Sequence, residues 1–474
     1  MAEKSANKFL LYLEKHLANQ NPALLEASSV YRELDQIVYD LGLIDDDDSM
    51  AIKISWWPII SVFATPTAGA EKFINQYLKT NLLDAERQLP RNKFTILHYS
   101  SKELPVTLPG TALDGDTRFP FYQISSKIEQ IKKGEGGYIN SHLEMKTADS
   151  AALQGKLIVV AANFTSEPQN PVVDYLNQFI VHRSDLVLVF FDAAKPDLGD
   201  LRDSLTRFIS ESVKEQELNK VLFVINQRGS ASNPVDPEIW KKQLHEFGLQ
   251  SGQFVVLHEA PEQNKLIAQM SGSYQAASGN DAEMKKIHHR IEHINVESAY
   301  RILNSLQHSI DEIDDQVIPE VQKAIKTWKE RSNFTSGLIL SFFVFLILIG
   351  EISGFGLLDL FLDPFLAPIS VAVIVVIMVP LHLLVSKMQA KFVIKDLEKK
   401  KKEQGLLENP AGLFEKGMTF WRIMLPIKEP VGWNKQTRAQ LLKLQARVKR
   451  LVQSLNDNFS SLGVQSKPSS ELDS

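Results

Sequence analysis

The 474-residue sequence contains no cysteine. Disulfide bonds are therefore excluded, and so are catalysis and metal binding by a thiolate. A basic excess is also missing, because the formal net charge is −5, and the composition gives no indication of a nucleic-acid partner. The beginning of the chain lacks a basic segment followed by an apolar run and a small-residue cleavage site, so we expect no signal peptide.

Lysine and arginine are missing from Ser332 to Ser386, a stretch with two apolar runs, Ser336–Ile352 and Leu366–Ser386. At about 1.5 Å per residue, these runs of about 17 and about 21 residues approach the roughly 30 Å hydrocarbon thickness of a bilayer. Acidic residues lie between the runs, and basic residues lie outside both ends. This pattern predicts a transmembrane helical hairpin over 336–386, with the bulk of the chain and both termini cytoplasmic. The flanking basic residues are Lys329, Arg331, Lys387, Lys391 and Lys395.

Three alternatives to a spanning hairpin remain. A re-entrant or shallow hairpin is one, because the first run is short and ends at Glu351. A buried hairpin of a soluble domain is disfavoured, since neither run alternates with polar positions. A channel or transporter subunit is also disfavoured, because one hairpin offers no bundle and His382 is the one ionisable residue away from an end or the loop.

Short apolar runs separated by helical stretches follow one another between positions 52 and 256. Runs this uniformly apolar suit strands that are covered on both faces, and the intervening lengths suit crossover helices. We therefore predict an α/β head over 52–275, with a mostly parallel sheet flanked by helices. The predicted strands are Ile59–Ala64, Phe94–His98, Leu157–Ala162, Leu186–Phe191, Val221–Asn226 and Phe254–His258.

The first predicted strand leads into a loop and a helix in the manner of a P-loop, GxxxxGK[ST]. In that motif the glycines let backbone N–H groups wrap the phosphates, the lysine neutralises charge and the hydroxyl binds Mg²⁺. Here Gly69 is retained, but Ala64 replaces the first glycine. Ala70 replaces the lysine and Glu71 replaces the hydroxyl residue, so a carboxylate stands where phosphate and Mg²⁺ would bind.

This strand, the degenerate loop and the following FINQYL resemble the start of the dynamin-superfamily GTPase domain, and the EHD-type branch is the most similar. The resemblance extends over roughly 30–306. It implies a P-loop GTPase fold, with GTP and Mg²⁺ as the ligands of active relatives, which remodel membranes by nucleotide-dependent dimerisation of their heads. The EH domain of that branch does not follow, so its peptide ligands are not implied.

Two further family motifs line up in the expected order, without their chemical residues. Arg91 and Asn92 follow a proline where the family has a Mg²⁺-binding threonine. Ala161 takes the aspartate position of DTPG, and Phe164 takes its glycine position.

The stretch RSDLVLVFFDAAKPDLGDLRDSLTRFI resembles a family strand and helix, and the next strand ends where the guanine-reading NKxD motif stands. Asn226 is kept, Gln227 replaces the lysine, and Gly229 replaces the base-reading aspartate. Taken with the other motifs, the resemblance implies a pseudo-GTPase without catalytic residues or cofactor. A divergent GTPase or ATPase and an unrelated α/β fold are the alternatives.

Long helical patterns surround the head and predict a stalk. The predicted segments are N-terminal helices over 1–44, a helix over 281–331, a basic helix over 387–403, a linker over 404–433, a last helix over 434–462 and a disordered tail over 463–474. The last helix carries an apolar seam that requires a partner helix, in the same chain or in a second copy. The seam comprises Leu441, Leu444, Val448, Leu451 and Leu455.

A possible zinc motif, HxxEH, spans His289–His293. Because a third ligand is lacking and the membrane hairpin follows closely, a solvated helix face is the preferred interpretation, and we predict no metal. The chain is thus predicted to be a membrane-anchored, dynamin-like scaffold or regulator. Its predicted partners are the lipid bilayer and either a second copy of itself or an active dynamin-like GTPase.

Overall fold

The computed structural model describes residues 5–465 except positions 21, 46–47, 86–92, 103, 163, 165–169, 196–200, 213–214, 229–236, 247–252, 260–277, 355, 357, 405 and 407. The chain divides into two compact units. One, here called the sheet unit, is Ile54–Ile302. The other, here called the helical unit, combines Met1–Lys53 with Leu303–Ser474.

The sheet unit is built on eight strands in the order β3-β4-β2-β5-β1-β6-β7-β8. The strands are β1 Ile59–Ala64, β2 Phe94–Tyr99, β3 Val106–Pro109, β4 Leu143–Ala148, β5 Leu157–Val160, β6 Leu186–Asp192, β7 Val221–Arg228 and β8 Gln253–Glu259. The helices up to the unit boundary are α3 Ala70–Leu78, α4 Thr111–Asp114, α5 Ile124–Ile131, α6 Ile139–His142, α7 Pro171–Arg183, α8 Arg202–Ser212, α9 Pro237–Glu246 and the first part of α10, Ser278–Glu312.

The sheet is mixed but mostly parallel. β5, β1, β6, β7 and β8 pair in parallel, as do β2 and β4, whereas β2 runs antiparallel to β5 and β3 runs antiparallel to β4. The prediction of a sheet flanked by helices is confirmed. The sequence patterns missed β3 and β4, because β3 is largely exposed and β4 alternates buried with half-buried residues instead of forming an apolar run.

Helices cover both faces of the sheet, so β1 is buried on both sides. Ile59 and Phe63 of β1 join a core with α5, α7, α8 and α9. Ile60 and Val62 face the other core, which contains residues of α3 and the apolar stripe at the start of α10. This arrangement explains why the central strands appear in the sequence as continuous apolar runs.

A buried ion pair joins α10 to the amino ends of two neighbouring strands. The Arg301 guanidinium donates through Nε to Asp185 Oδ1 at 2.6 Å and through Nη2 to Oδ2 at 3.2 Å. Its Nη1 also donates to the Ser55 carbonyl at 2.8 Å. The Asp185 side chain is 1% exposed and accepts the Ile59 N–H at 2.9 Å. A single carboxylate therefore organises the starts of β1 and β6 and the helix that crosses them.

The helical unit contains the remaining helices. They are α1 Ser5–Gln20, α2 Leu25–Leu41, the end of α10, α11 Ile318–Ile352, α12 Asp359–Leu362, α13 Leu366–Gln404, α14 Pro410–Lys416, α15 Phe420–Met424 and α16 Lys435–Gln465. Between α10 and α11 the segment Ile313–Val317 is a π-helical turn. Pro319 follows in the first turn of α11, and because the helical backbone continues without a break from the π-helical turn into α11, the proline lies inside a continuous helix, where it has no N–H to donate.

The apolar seam of α16 is covered within the same chain. All five seam residues named above are buried, and α16 packs on α2. The facing residues Val30, Leu34 and Val38 of α2 are buried too. Arg447 adds an ion pair to Glu33 at 2.5 Å. The sequence predicts a partner helix for the seam either in the same chain or in a second copy, and the structure shows a partner in the same chain.

The helices α11 and α13 pack antiparallel. Trp328 Nε1 donates to the Ser386 carbonyl at 2.8 Å, and one to two turns further on Ser336 Oγ lies 2.8 Å from His382 Nδ1. Two stretches, Ala282–Ile352 and Leu366–Lys401, are long and apolar enough to cross a membrane, and only 6% and 11% of their most apolar windows are buried. Their exposed apolar residues include Phe334, Leu338, Phe342, Phe345, Leu348, Ile369, Val373 and Val376.

A buried carboxyl group lies where α13, the π-helical turn and the N-terminal segment meet. Glu408 is 0% exposed, and neither carboxylate oxygen has a hydrogen-bond partner among the described residues. Burial, with Glu312 adding repulsion, raises the pKa of Glu408 to about 7, against partial compensation by Lys53 and Lys401. The helical unit therefore holds this group protonated over a pH range in which the unfolded chain ionises it.

Replacing Arg301 by alanine is expected to lower the free energy of unfolding of the sheet unit by about 3–5 kcal/mol, because Asp185 then remains buried without its cation. Urea titration of the full chain, followed by circular dichroism, measures the loss. Arg202→Ala is the matched control, since Arg202 forms an exposed pair with Glu246 at 3.3 Å and should lose less than about 1 kcal/mol. Equal losses for the two variants would contradict the role given to Arg301.

Glu408→Gln is expected to stabilise the helical unit at pH 8 by an amount on the order of 2–3 kcal/mol. The folded-state pKa of about 7 lies above the ordinary value of 4.5, so wild-type stability falls as pH rises from about 4.5 to 7. Below that range both states are protonated, and the variant should differ little from wild type. Thermal melts at pH 5 and pH 8 measure the effect, with exposed Glu398→Gln as the control. A stabilisation by Glu408→Gln that is independent of pH would exclude titration of Glu408 as its cause.

Candidate functional site

The candidate site is the loop that joins β1 to α3, at the carboxyl end of the central parallel strands. Open α/β sheets bind ligands at this edge, where the loops after the strands meet. The loop runs from Thr65 to Gly69, and two of its residues have positive φ, Thr67 at 70° and Gly69 at 80°. Glycine adopts this conformation without strain, whereas threonine does so at a cost of about 1–2 kcal/mol. Thr67 therefore requires support from its neighbours.

Two side chains, one at the end of β6 and one shortly after it, supply this support. The Thr67 hydroxyl donates to Asp192 Oδ2 at 2.6 Å, and Lys195 Nζ lies 3.3 Å from the same hydroxyl oxygen. Asp192 is itself oriented, because its Oδ1 accepts the Ala194 N–H at 3.0 Å. Asp192 is buried and Thr67 is exposed, so the bond between them is partly shielded from water.

Asn226, at the end of β7, holds the loop from a second direction. Its Nδ2 donates to the Ala68 carbonyl at 2.8 Å, and its own carbonyl accepts the Ala193 N–H at 3.0 Å. Both Asn226 and Ala68 are buried. The amide that the sequence retains from the base-reading motif thus fixes the backbone of the loop. Gln227, which follows it, is also buried.

The positions that replace the DTPG motif pack into the apolar core. The Ala161 N–H donates to the Val62 carbonyl at 2.9 Å, which places Ala161 beside β1. Phe164 is 1% exposed, and its ring stacks against Phe63 at 6.3 Å and meets the edge of Phe208 at 5.2 Å. A benzyl group thus fills the position where the resemblance expects a glycine.

The first turn of α3 carries a carboxylate of its own. Ala70 is buried at the start of the helix, and Glu71 is half-buried beside it in the first turn. Partial positive charge at a helix N-terminus stabilises an anion, and here the side chain of Glu71 supplies one. A bound phosphate would have to share this helix end with Glu71 and lie near Asp192, so these two carboxylates oppose its binding, whereas the Lys195 ammonium near Thr67 favours it.

The structure brings most of the predicted site residues to this one edge of the sheet. These are Ala64, Gly69, Ala70, Glu71, Ala161, Phe164, Asn226 and Gln227. Arg91, Asn92 and Gly229 lie outside the described residues. The sequence reasoning missed Thr67, Asp192 and Lys195 as contact residues, although Asp192 and Lys195 stand in the FDAAKPD stretch that carried the resemblance.

The flanking basic residues lie in the helical unit. Lys329 is half-buried, and its Nζ donates to the carbonyls of Arg422, at 2.6 Å, and Leu425. Burial, with some repulsion from Arg422, lowers the pKa of Lys329. Exposed side chains are found at Arg331, Lys387, Lys391 and Lys395.

Other candidate sites have no link to the loop. An open groove of about 640 Å³ lies between the β7–β8 edge and α10, where Phe254, Lys285 and Arg290 contribute to its lining. In the HxxEH stretch, the His289 and His293 rings stack at 4.0 Å, and His293 Nδ1 lies 2.9 Å from the His289 carbonyl oxygen. Over the described ranges, no group of three or more His, Asp or Glu side chains is arranged to hold a metal ion.

No protein-family model matches the sequence, and neither does any curated protein. Among solved structures, the chain is similar to components of an oligomerised bacterial dynamin pair associated with long-range sensing and tethering of membranes. One alignment has a TM-score of 0.28 and 12% identity, covering 97% of this chain and 75% of the other. A second has a TM-score of 0.32 and 9% identity, covering 66% of this chain and 46% of the other. At these values the likeness assigns neither fold nor activity to this chain.

Proposed function

We propose that this protein is a membrane-anchored, dynamin-like pseudo-GTPase that acts as a scaffold or regulatory partner in membrane remodelling. The observation that carries the proposal is the loop after β1, whose backbone is held by Asp192 and Asn226 and whose following helix begins with Glu71. A loop that is already bound to the chain's own side chains has little need of a nucleotide to order it.

Anchoring rests on the exposed apolar surface of α11 and α13. Burying apolar surface contributes about 25 cal/mol per Å², so two long exposed apolar helices favour a hydrocarbon environment strongly. Backbone groups in these helices are satisfied internally, as a bilayer requires. In the loop between them, Glu351 Oε2 accepts the Leu358 N–H and Asp363 Oδ1 accepts the Phe365 N–H.

A scaffold or regulatory role follows from combining the membrane anchor with a loop that the chain's own side chains hold. The motif order in the sequence resembles a family whose heads associate at membranes, while the chemical residues of those motifs are replaced. We therefore infer that the contribution of this chain is association, with a second copy or with an active dynamin-like GTPase.

A divergent GTPase or ATPase is the second candidate. The nine-residue helix α3 begins directly after Gly69, and a helix N-terminus after a glycine favours phosphate binding. This candidate requires GTP or ATP with Mg²⁺ to displace Glu71 from the first turn.

Calorimetric titration of the full-length protein in detergent, with Mg²⁺ and either GTP or ATP, distinguishes the two candidates. We expect no binding at high micromolar nucleotide, because carboxylates occupy the surroundings of the loop. Detectable binding by the wild type would refute the pseudo-GTPase, and hydrolysis would then be measured. An Ala70→Lys/Glu71→Ser variant tests the cause, since a gain of affinity identifies the loop as a P-loop that has lost its chemical residues.

Alkaline carbonate extraction of membranes that contain the full-length protein tests the anchoring. We expect wild type in the membrane pellet and a Val344→Arg/Val376→Arg variant largely in the supernatant, because each central arginine costs about 2.5–3.5 kcal/mol. Leu442→Arg, at an exposed leucine of α16, is the control and should stay in the pellet. Extraction of wild type would exclude an integral anchor.

The same preparation separates a spanning hairpin from a re-entrant one. Because the chain has no cysteine, Leu358→Cys and Lys435→Cys each create one reactive site. A spanning hairpin makes position 358 reactive to an impermeant maleimide from the side opposite to position 435. Reaction of both positions from the same side indicates a re-entrant hairpin.

A further inference from the structure

The short helix α15 exposes an unusual set of apolar side chains. Four side chains, of the helix and of the residue that follows it, are 40–70% exposed, and the residues that neighbour them in the chain are described by the structure. The four are Phe420, Trp421, Met424 and Leu425. Ile423 is buried, so the helix is packed on the helical unit through one side while the other side is bare. On α13, Met388 and Phe392 are exposed as well, one turn apart. We call these six exposed residues the foot surface.

The position of α15 along the anchor is fixed by Lys329. Its ammonium group donates to two carbonyls at the end of α15, those of Arg422 and Leu425. Continuous apolar exposure on α11 begins at Phe334, which follows Lys329 by about 8 Å along the helix axis. The headgroup layer on one side of a bilayer is about 5–8 Å thick. If α11 enters a membrane at Phe334, α15 lies at the level of the headgroups.

Cationic side chains surround the same level. Lys387, Lys391 and Lys395 follow one another at four-residue spacing on one face of α13, and Arg331 lies on α11. All four are exposed, and no ion pair within 4 Å joins any of them to another residue that the structure describes. Lys387, Lys391 and Lys395 follow Ser386 by about 2, about 8 and about 14 Å of helix rise. The charges of Lys387 and Lys391 are therefore available at the depth of lipid phosphates, and Lys395 lies within about one Debye length of that layer.

We propose that the foot surface, together with Arg331, Lys387, Lys391 and Lys395, is a membrane-surface site at which α15 inserts its aromatic side chains between the headgroups of anionic phospholipids. The inference rests on the proposed membrane anchoring, which it extends from the hairpin to α15.

Charge and composition favour lipid over a protein occupant. Tryptophan and phenylalanine with adjacent lysines are typical of segments that lie at the membrane–water interface. Lys329 also bonds α15 to α11 close to the start of the apolar run, so a membrane that covers this run comes close to α15 without a further partner. Each lysine near an anionic leaflet strengthens association of the segment with that leaflet by about fivefold.

The test uses full-length single-cysteine variants, labelled with the fluorophore NBD and reconstituted in vesicles of phosphatidylcholine with 30% phosphatidylserine. Trp421→Cys reports on the foot surface, Val376→Cys reports on the hairpin, and Leu442→Cys is an exposed control in the same unit. We expect a several-fold loss of quenching by aqueous iodide at positions 376 and 421 relative to position 442.

A second measurement identifies the lipid. At equal mole fraction, nitroxide-labelled phosphatidylserine should quench position 421 more strongly than nitroxide-labelled phosphatidylcholine, because the neighbouring lysines attract the anionic headgroup. Lys387→Gln/Lys391→Gln/Lys395→Gln should bring the ratio of the two quenching effects close to one while position 376 stays shielded. Equal quenching by the two lipids, unchanged in the triple variant, would overturn the anionic headgroup site.

The outcomes separate this inference from the anchoring on which it rests. Shielding at position 376 with full iodide quenching at position 421 overturns the foot surface and leaves the anchor intact. Quenching at both positions refutes the anchor, and this inference with it. Shielding of position 421 from iodide without quenching by either labelled lipid would assign the surface to a contact between copies, and the lipid site would be wrong.

Discussion

The sheet unit depends on one buried carboxylate and the arginine that neutralises it. Asp185 accepts hydrogen bonds from the backbone of Ile59 and from Arg301, and so joins the amino ends of β1 and β6 to α10. A charge that is 1% exposed is tolerated only with such partners. With this end of the central strands fixed, their carboxyl ends lie at a defined edge, where the loop after β1 is formed.

The loop after β1 is held in place by the chain's own side chains. Its strained residue, Thr67, is held by Asp192, and its backbone carbonyl at Ala68 is held by Asn226. The bond from Asn226 is buried and is therefore worth more than it would be at the surface, whereas the bond from the exposed Thr67 is partly shielded. The aromatic ring of Phe164 fills core space beside Phe63, and the carboxylate of Glu71 lies in the first turn of α3. These features support the proposal that the head acts by association at a membrane and not by turnover.

In the helical unit, the solvent around the helices determines which side chains can be exposed. Below the apolar runs, α11 and α13 are packed by neighbouring helices, and Trp328 is buried between the Ser386 carbonyl and the ring of Phe414. Within their apolar runs the same two helices expose apolar side chains on most of their surface, beginning at Phe334 on α11. One pair of helices thus changes from a water-soluble packing to a bilayer-compatible one over about two turns, and α15 lies at that change.

Local patterns in the sequence were sufficient for the elements whose residues all share one environment. The central strands are buried on both faces and the apolar helices have few polar positions, so Ile59–Ala64 and Leu366–Ser386 were both identifiable. The strands β3 and β4 were not, because β3 is a largely exposed edge strand and β4 mixes buried with half-buried positions. Among the site residues, replacements such as Ala70 and Glu71 are visible in the sequence. The bonds from Asp192 and Asn226 to the loop are not, since they join residues more than 120 positions apart that only strand order brings together. For the same reason the sequence alone specified an apolar seam on α16 but left its partner open, and only the tertiary packing on α2 decided it.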